Sequence, residues 1–275
     1  MRLLLALAAC LLLSGCGSSN DNPPPRPLPP VDSQPLISRK GLYFGYFGSD
    51  DAQVDETHDH VNLLFAAWGT DEQLAARIAK AAMPTILDVS DCLFTPGMPR
   101  KYRGDEDAER LLDARMLACT RTNADDYIEV LYLIDEPERE SNVGSDQIAM
   151  GATCARRVAA RYALSPAIHI CYGDGNDYRG AKFVDWIGVN DYDGDALSRI
   201  DSIALQEHQR LVLYPGGADP WRNDPRPFYD YAQANPKVIG IVPFLWVRYA
   251  KAGIRDNGMA DQYRAIGKAI TKEQT

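Results

Sequence analysis

The stretch Leu133-Ile134-Asp135-Glu136-Pro137 sets two carboxylic acids side by side where an apolar run stops, and Glu138 follows at once. A carboxyl group at a partly apolar strand end has its ionised form disfavoured by desolvation. It can therefore hold a proton near neutrality and donate it to a glycosidic oxygen. Consecutive strand residues face opposite sides of a sheet, so Asp135 and Glu136 meet in one site only if the strand breaks there. Pro137 lacks an N–H, stops the ladder, and biases Glu136 toward an extended backbone. A second acidic group, Asn190-Asp191-Tyr192-Asp193, ends another apolar run. With Glu136 as general acid, Asp191 or Asp193 would take the proton of a water molecule or orient a substrate amide.

Such groups need a frame that brings distant strand ends together. Over residues 41–275, short apolar or β-branched runs alternate with amphipathic helical stretches, the pattern of parallel strands joined by helical crossovers. Eight strands are predicted, Leu42–Phe47, Val61–Trp68, Thr85–Val89, Tyr127–Ile134, Ala167–Tyr172, Val184–Asn190, Leu211–Tyr214 and Val238–Trp246. They are continuous apolar runs, as expected for strands buried on both faces. Helices are predicted over Thr70–Ala82, Glu106–Thr122, Gln147–Tyr162 and Asp256–Ile270. The first opens with a Thr70/Gln73 capping box and carries Leu74, Ile78 and Ala81 on one stripe. The acidic crossover Gly48–His60 has no clear apolar stripe, so its helix is short or absent. Eight alternations in one domain predict an α/β fold, a (β/α)8 TIM-type barrel over residues 41–275. No G-x-G-x-x-G follows the first strand, which disfavours a dinucleotide fold.

In a barrel of this kind the chemistry lies at the carboxyl ends of the strands. Those ends read Tyr46, Trp68, Asp88 with Asp91, the acids Asp135 to Glu138, Tyr172 with Asp174, the group Asn190 to Asp193, Tyr214 and Trp246. Flat aromatic faces suit the C–H faces of sugars and carboxylates suit their hydroxyls. Asp135, Tyr46, Trp68, Asp88, Tyr172, Tyr192, Tyr214 and Trp246 are accordingly the candidate substrate contacts. Trp221 with Arg222 and Arg226 forms a candidate lid after the seventh strand, or ordinary loop packing. His58 and His60 lack a third ligand for a metal, and His169 reads as a core histidine with a satisfied hydrogen bond. No metal or cofactor is expected.

At these positions the chain resembles the large clan of barrel glycoside hydrolases. Their fourth strand ends Asn-Glu-Pro, the Glu being the acid/base, and their eighth ends near a sugar-stacking Trp. Glu136 and Trp246 match those places, and Asp135 stands where the clan has Asn. The clan's nucleophilic Glu on the seventh strand has no counterpart, since residues 211–219 offer no carboxylate before Asp219. The group Asn190 to Asp193 resembles the Tyr-Asp of chitinase-like barrels, which work with substrate assistance, but the spaced acidic motif of their fourth strand is absent here. The resemblance implies cleavage of an oligo- or polysaccharide. The alternative is a catalytically silent barrel that binds glycan or a protein partner at the cell surface.

Residues 1–15 carry Arg2, an apolar run through Leu13 and small residues before Cys16, the form of an export signal. Leu13-Ser14-Gly15-Cys16 resembles the lipobox of bacterial lipoproteins, which implies cleavage before Cys16 and lipidation of it. Gly17 resembles outer-membrane sorting. Residues 16–40 are proline-rich, with seven of the nine residues from Asn22 to Pro30 being proline or arginine, and read as an extended tether. The bilayer, through the lipid, and a carbohydrate are thus the expected partners. A formal charge of −9 with scattered acids disfavours nucleic acid. Of the cysteines beyond Cys16, spacing favours the disulfides Cys92–Cys119 and Cys154–Cys171 among the three connectivities that four thiols allow. No Gly-x-Ser-x-Gly elbow or phosphate loop is present.

Overall fold

A computed structural model describes residues 41–139, 142–173, 177–192, 197–201, 203–247 and 251–272. The signal, Cys16, the tether and Asp193 lie outside the described residues. Eight parallel strands, β1 (Tyr43–Phe44), β2 (Leu64–Ala66), β3 (Thr85–Asp88), β4 (Ile128–Asp135), β5 (Ala167–Tyr172), β6 (Trp186–Asp191), β7 (Arg210–Pro215) and β8 (Val238–Ile241), form one curled sheet. Each strand from β2 to β8 pairs with the next in the chain, and β8 returns to β1 at Tyr43↔Gly240 and Phe44↔Ile241. The seam between β1 and β2 is joined by single bonds rather than a ladder. Phe44 O accepts from the N–H groups of Asn62 (3.0 Å) and Leu63 (3.2 Å), and Ser49 N–H donates to Phe65 O (2.9 Å). The architecture is the TIM-like α/β barrel that the alternation predicts.

The helices are α1 (Asp51–Thr57), α2 (Asp71–Ala81), α3 (Ser90–Leu93), α4 (Asp105–Arg121), α5 (Ser145–Arg161), α6 (Leu197–Ile200), α7 (Pro225–Ala234) and α8 (Ala260–Lys272). The Thr70/Gln73 capping box is formed in both directions, Asp71 and Glu72 sit in the first turn of α2, and Lys80 sits in its last. Leu74, Ile78 and Ala81 are buried against the sheet, and each of the two larger side chains contributes about 1.5–3 kcal/mol by leaving water. The acidic first crossover does hold a short helix, α1, started by the Asp50 carboxylate, which accepts from Gln53 N–H. Helix α7 was not foreseen. Its signal was the Asp224-Pro225 pair, a capping aspartate followed by proline at the first helical position.

Apolar side chains divide between two layers. Leu64, Leu131, Ile187 and Leu213 belong to the layer between sheet and helices, whereas Phe65, Val130, Tyr132, Val212 and Tyr214 fill the barrel interior. That division corrects the disulfide expectation, because Cys92, Cys119, Cys154 and Cys171 are four free, buried thiols. Cys154 lies in the outer layer and Cys171 in the interior, so the sheet stands between them. Cys92 and Cys119 share the outer layer near Arg115, where desolvation pushes each thiol up to about 12.

Candidate active site

In its pairing with β5, strand β4 carries a register shift between Tyr132 and Ile134. Tyr132 points into the barrel, Leu133 and Ile134 both face the helices, and Asp135 points inward again, where its Oδ1 accepts from the Tyr132 hydroxyl at 2.8 Å. The next residue, Glu136, has φ +42°, which turns the backbone out of the strand. The expected extended conformation before Pro137 is thereby corrected. Its N–H still bonds Cys171 O (2.8 Å), and its carboxylate swings to the same side as Asp135. Asn190 Nδ2 donates to Glu136 Oε1 at 2.8 Å, and an Arg139 amine stands 3.5 Å from Oε2. A strand break thus brings both acids into one mouth, at the cost of a left-handed backbone on a non-glycine residue.

Burial, reinforced by the charge of Glu136 and countered by Tyr132, pushes the Asp135 carboxyl up to about 7. Burial likewise pushes Glu138 up to about 7. Its Oε1 accepts from Gly173 N–H, while Oε2 is shut off from solvent with no hydrogen-bond partner among the described residues. Asp88, at the end of β3 and beside Tyr132 in register, also points inward; Ser90 N–H bonds its Oδ1 at 2.8 Å, and burial raises its pKa. Asp88, Asp135, Glu136 and Glu138 are therefore one carboxyl cluster on the β3–β5 side of the mouth. Glu138 and Asn190 were named only within their strand-end groups and given no role, and Arg139 was not singled out, although the alternation of β6 would have aimed Asn190 inward.

Aromatic rings flank the acids. Tyr192 packs against Trp221 at 4.6 Å and against Phe244 at 6.0 Å, forming a wall on the β6–β8 side. Trp68 stands on the β2 side with 60% of its surface exposed, edge-on to Phe47 at 5.9 Å. Beside Trp68 and Asp88 lies a cavity of about 230 Å³.

Other expected residues lie elsewhere. Asp191 alternates with Asn190 and is buried on the outer face, near Tyr263 of α8, so it does not join Glu136 across the mouth. Tyr46 and Trp246 face the helix layer, 4.8 Å apart; the indole N–H donates to Glu56 Oε2 (3.0 Å), and Arg264 covers the ring at 5.0 Å. Tyr172 also faces outward, its hydroxyl donating to Arg179 O at 2.8 Å. Tyr214 points into the barrel but lies below the mouth, fully buried, and its hydroxyl donates to His169 Nε2 at 2.6 Å. His169 Nδ1 donates to Trp186 O (3.0 Å), which fixes the tautomer, and burial lowers its pKa to about 4. His60 spends its ring nitrogens on Asp59 (2.6 Å) and Tyr46 (3.2 Å). Arg226, expected in a lid or in ordinary loop packing, belongs to the first turn of α7.

No protein-family model and no curated protein sequence matches the chain. Solved structures do. A β-glucuronidase from Ruminococcus gnavus in complex with D-glucuronic acid superposes with a TM-score of 0.57 at 11% identity, over 82% of this chain and 49% of that one. Bacteroides uniformis β-glucuronidase 2, covalently bound to a cyclophellitol-6-carboxylate aziridine, gives 0.56 at 14% identity over 84% and 35%. An active-site mutant of Rhizomucor miehei β-1,3-glucanosyltransferase with laminaritriose gives 0.50 at 11% identity over 79% and 91%. The chain thus spans about half the length of the first of these proteins or less of the second, and the likeness is one of fold.

Proposed function

We propose that the protein hydrolyses a glycosidic bond of an oligo- or polysaccharide at the carboxyl-terminal mouth of the barrel. The observation that carries this reading is the turn of Asp135 and Glu136 into one mouth, with Asn190 holding Glu136. Glu136 gives a proton to the glycosidic oxygen as the bond to the anomeric carbon breaks. Asp135, pushed up to about 7, is about half protonated beside it at neutral pH. A water molecule adds to the anomeric carbon and its proton passes to a second carboxylate, for which Asp193, following Tyr192 in the chain, is our assignment in place of Asp191. The fold neighbours bear on this as proteins that handle sugars, two of them β-glucuronidases. The test is glycan hydrolysis by the purified protein over peptidoglycan fragments, chitin oligomers, β-glucans and acidic glycans, beside Glu136→Gln and Asp193→Asn. Cleavage that survives Glu136→Gln would sink the assignment.

A silent glycan receptor is the second reading. It is favoured by one observation: β7 ends in Tyr214 and Pro215 and delivers no carboxylate to the mouth. Binding without turnover would select it.

We also propose, from the sequence, that the chain is exported and held in the envelope, at the outer membrane, by lipid on Cys16, with residues 16–40 as tether. Palmitate labelling that persists in Cys16→Ser would refute this.

A further inference from the structure

The cavity between the β2 and β3 ends is not used by the reaction above. One wall is Trp68, whose backbone has φ +55° and whose indole lies over Gly48; a methyl group added there would sit 2.2 Å from the ring. That close approach, with the edge contact to Phe47, holds a large apolar face out toward solvent. The opposite wall carries three arginines, and they are not alike.

Arg115 is fully committed, donating to Asp71 (2.7 Å), to Asp91 (2.6 Å) and to Asp88 O (2.7 Å). Arg103 spends only its Nε, on the backbone oxygens of Asp91 and Phe94 (both 3.0 Å), and has no carboxylate partner among the described residues. Arg100 makes no hydrogen bond or ion pair among the described residues, and its Nε is shut off from solvent. The terminal guanidinium nitrogens of Arg100 and Arg103 keep unspent donors among the described residues, and an anion in the cavity would give them an acceptor. The chain as a whole carries −9, so long-range attraction does not gather anions here; any preference must come from these local groups. The acids in the cavity are already engaged, Asp91 by Arg115 and Asp88 by Ser90 N–H.

We infer that this cavity is a subsite for a carboxylate-bearing sugar ring, stacked on Trp68 with its carboxylate on Arg100 and Arg103. A guanidinium fork matches two carboxylate oxygens, and an indole face matches a ring's C–H face. Asp88 lines the cavity and adjoins Asp135, so the acidic residue is held next to the ring whose bond is cleaved. This rests on the carbohydrate reading of the mouth, not on turnover.

The test is titration of the full protein, followed by tryptophan fluorescence and calorimetry. The probes are oligogalacturonates, glucuronate-containing oligosaccharides, their methyl esters and sulfated galactan oligosaccharides, each measured also in Glu136→Gln. Expected is binding of a free uronate at least 10-fold tighter than of its ester, weakening with salt, with that difference lost in Arg100→Gln and overall affinity lost in Trp68→Ala. Neither side chain has a polar partner to lose, and unchanged melting temperatures confirm folded variants. Equal affinity for acid and ester, preference for sulfate over carboxylate, or no binding by any uronate would overturn the inference. Charge-dependent binding without cleavage would leave the subsite standing and remove the hydrolase; cleavage of neutral glycans indifferent to Arg100 would do the reverse.

Discussion

The side-chain amide of Asn190 donates to Glu136 Oε1 at 2.8 Å, so the end of β6 reaches past β5 and holds a carboxyl group delivered by β4. Removing it in Asn190→Ala should lower kcat about 10-fold with little change in KM, and Glu136→Gln should lower it by about 100-fold or more. Steady-state kinetics on the best glycan of the panel decide. An Asn190→Ala enzyme changed only in KM would make the amide a substrate contact instead.

Asp135 yields a prediction about pH. Its folded pKa is raised from 3.8 to about 7, so the folded protein binds this proton more tightly than the unfolded chain does. Stability therefore falls as pH rises from about 4 to about 7 and does not recover above that, by at most about 1.4 kcal/mol per pH unit for this one group. Asp135→Asn keeps an oxygen for the Tyr132 hydroxyl and removes the titration. Thermal melts should find the variant more stable than the parent at pH 8 and no more stable at pH 4. A difference independent of pH would contradict the burial argument.

Arg115 is the most heavily engaged cation near the mouth, 5% exposed and tied to Asp71 and Asp91. Arg115→Met removes a buried guanidinium shared by Asp71 (27% exposed) and Asp91 (66% exposed) and should cost about 1–3 kcal/mol in denaturant unfolding. Lys80→Ala removes a solvent-exposed pair with Asp55 and should stay within about 0.5 kcal/mol. Similar losses in the two variants would show that burial does not set the cost.

The four cysteines should resist alkylation in the folded protein and all react once it is unfolded, with no mass change on reduction. Peptide mapping without reductant reads this directly. A Cys92–Cys119 crosslink would return the outer-layer pair to the disulfide it was first assigned.

The barrel was legible because each strand is a continuous apolar run and because Thr70 and Gln73 write a helix start in plain chemistry. The end of β4 was legible too, since the apolar run stops at a pair of acids. What the chain did not disclose was which way each strand end points. Leu133 and Ile134 are equally apolar, so nothing in their types announces that both face the helices and that Asp135 is thereby returned to the interior. Without that irregularity, strict alternation would aim Ile134 into the mouth and Asp135 at the helices. The same question of parity misplaced Tyr46, Tyr172, Asp191 and Trp246, whose neighbours on the strand, or in the loop after it, take the inward positions. Arg100 and Arg103 sit in a loop with no periodicity, where only the folded chain brings them opposite Trp68.

The seam between β1 and β2 has a mechanical meaning. Strand β1 is two residues long and is the element next to the amino-terminal segment. If that segment is a leash, any drag on a captured polymer is borne first by Tyr43 and Phe44, the shortest grip in the sheet. Four residues further along stands Gly48, under the Trp68 indole. Tension entering at β1 would therefore reach Gly48 and the Trp68 indole within four residues of the strand, and the acids of β4 only across the sheet.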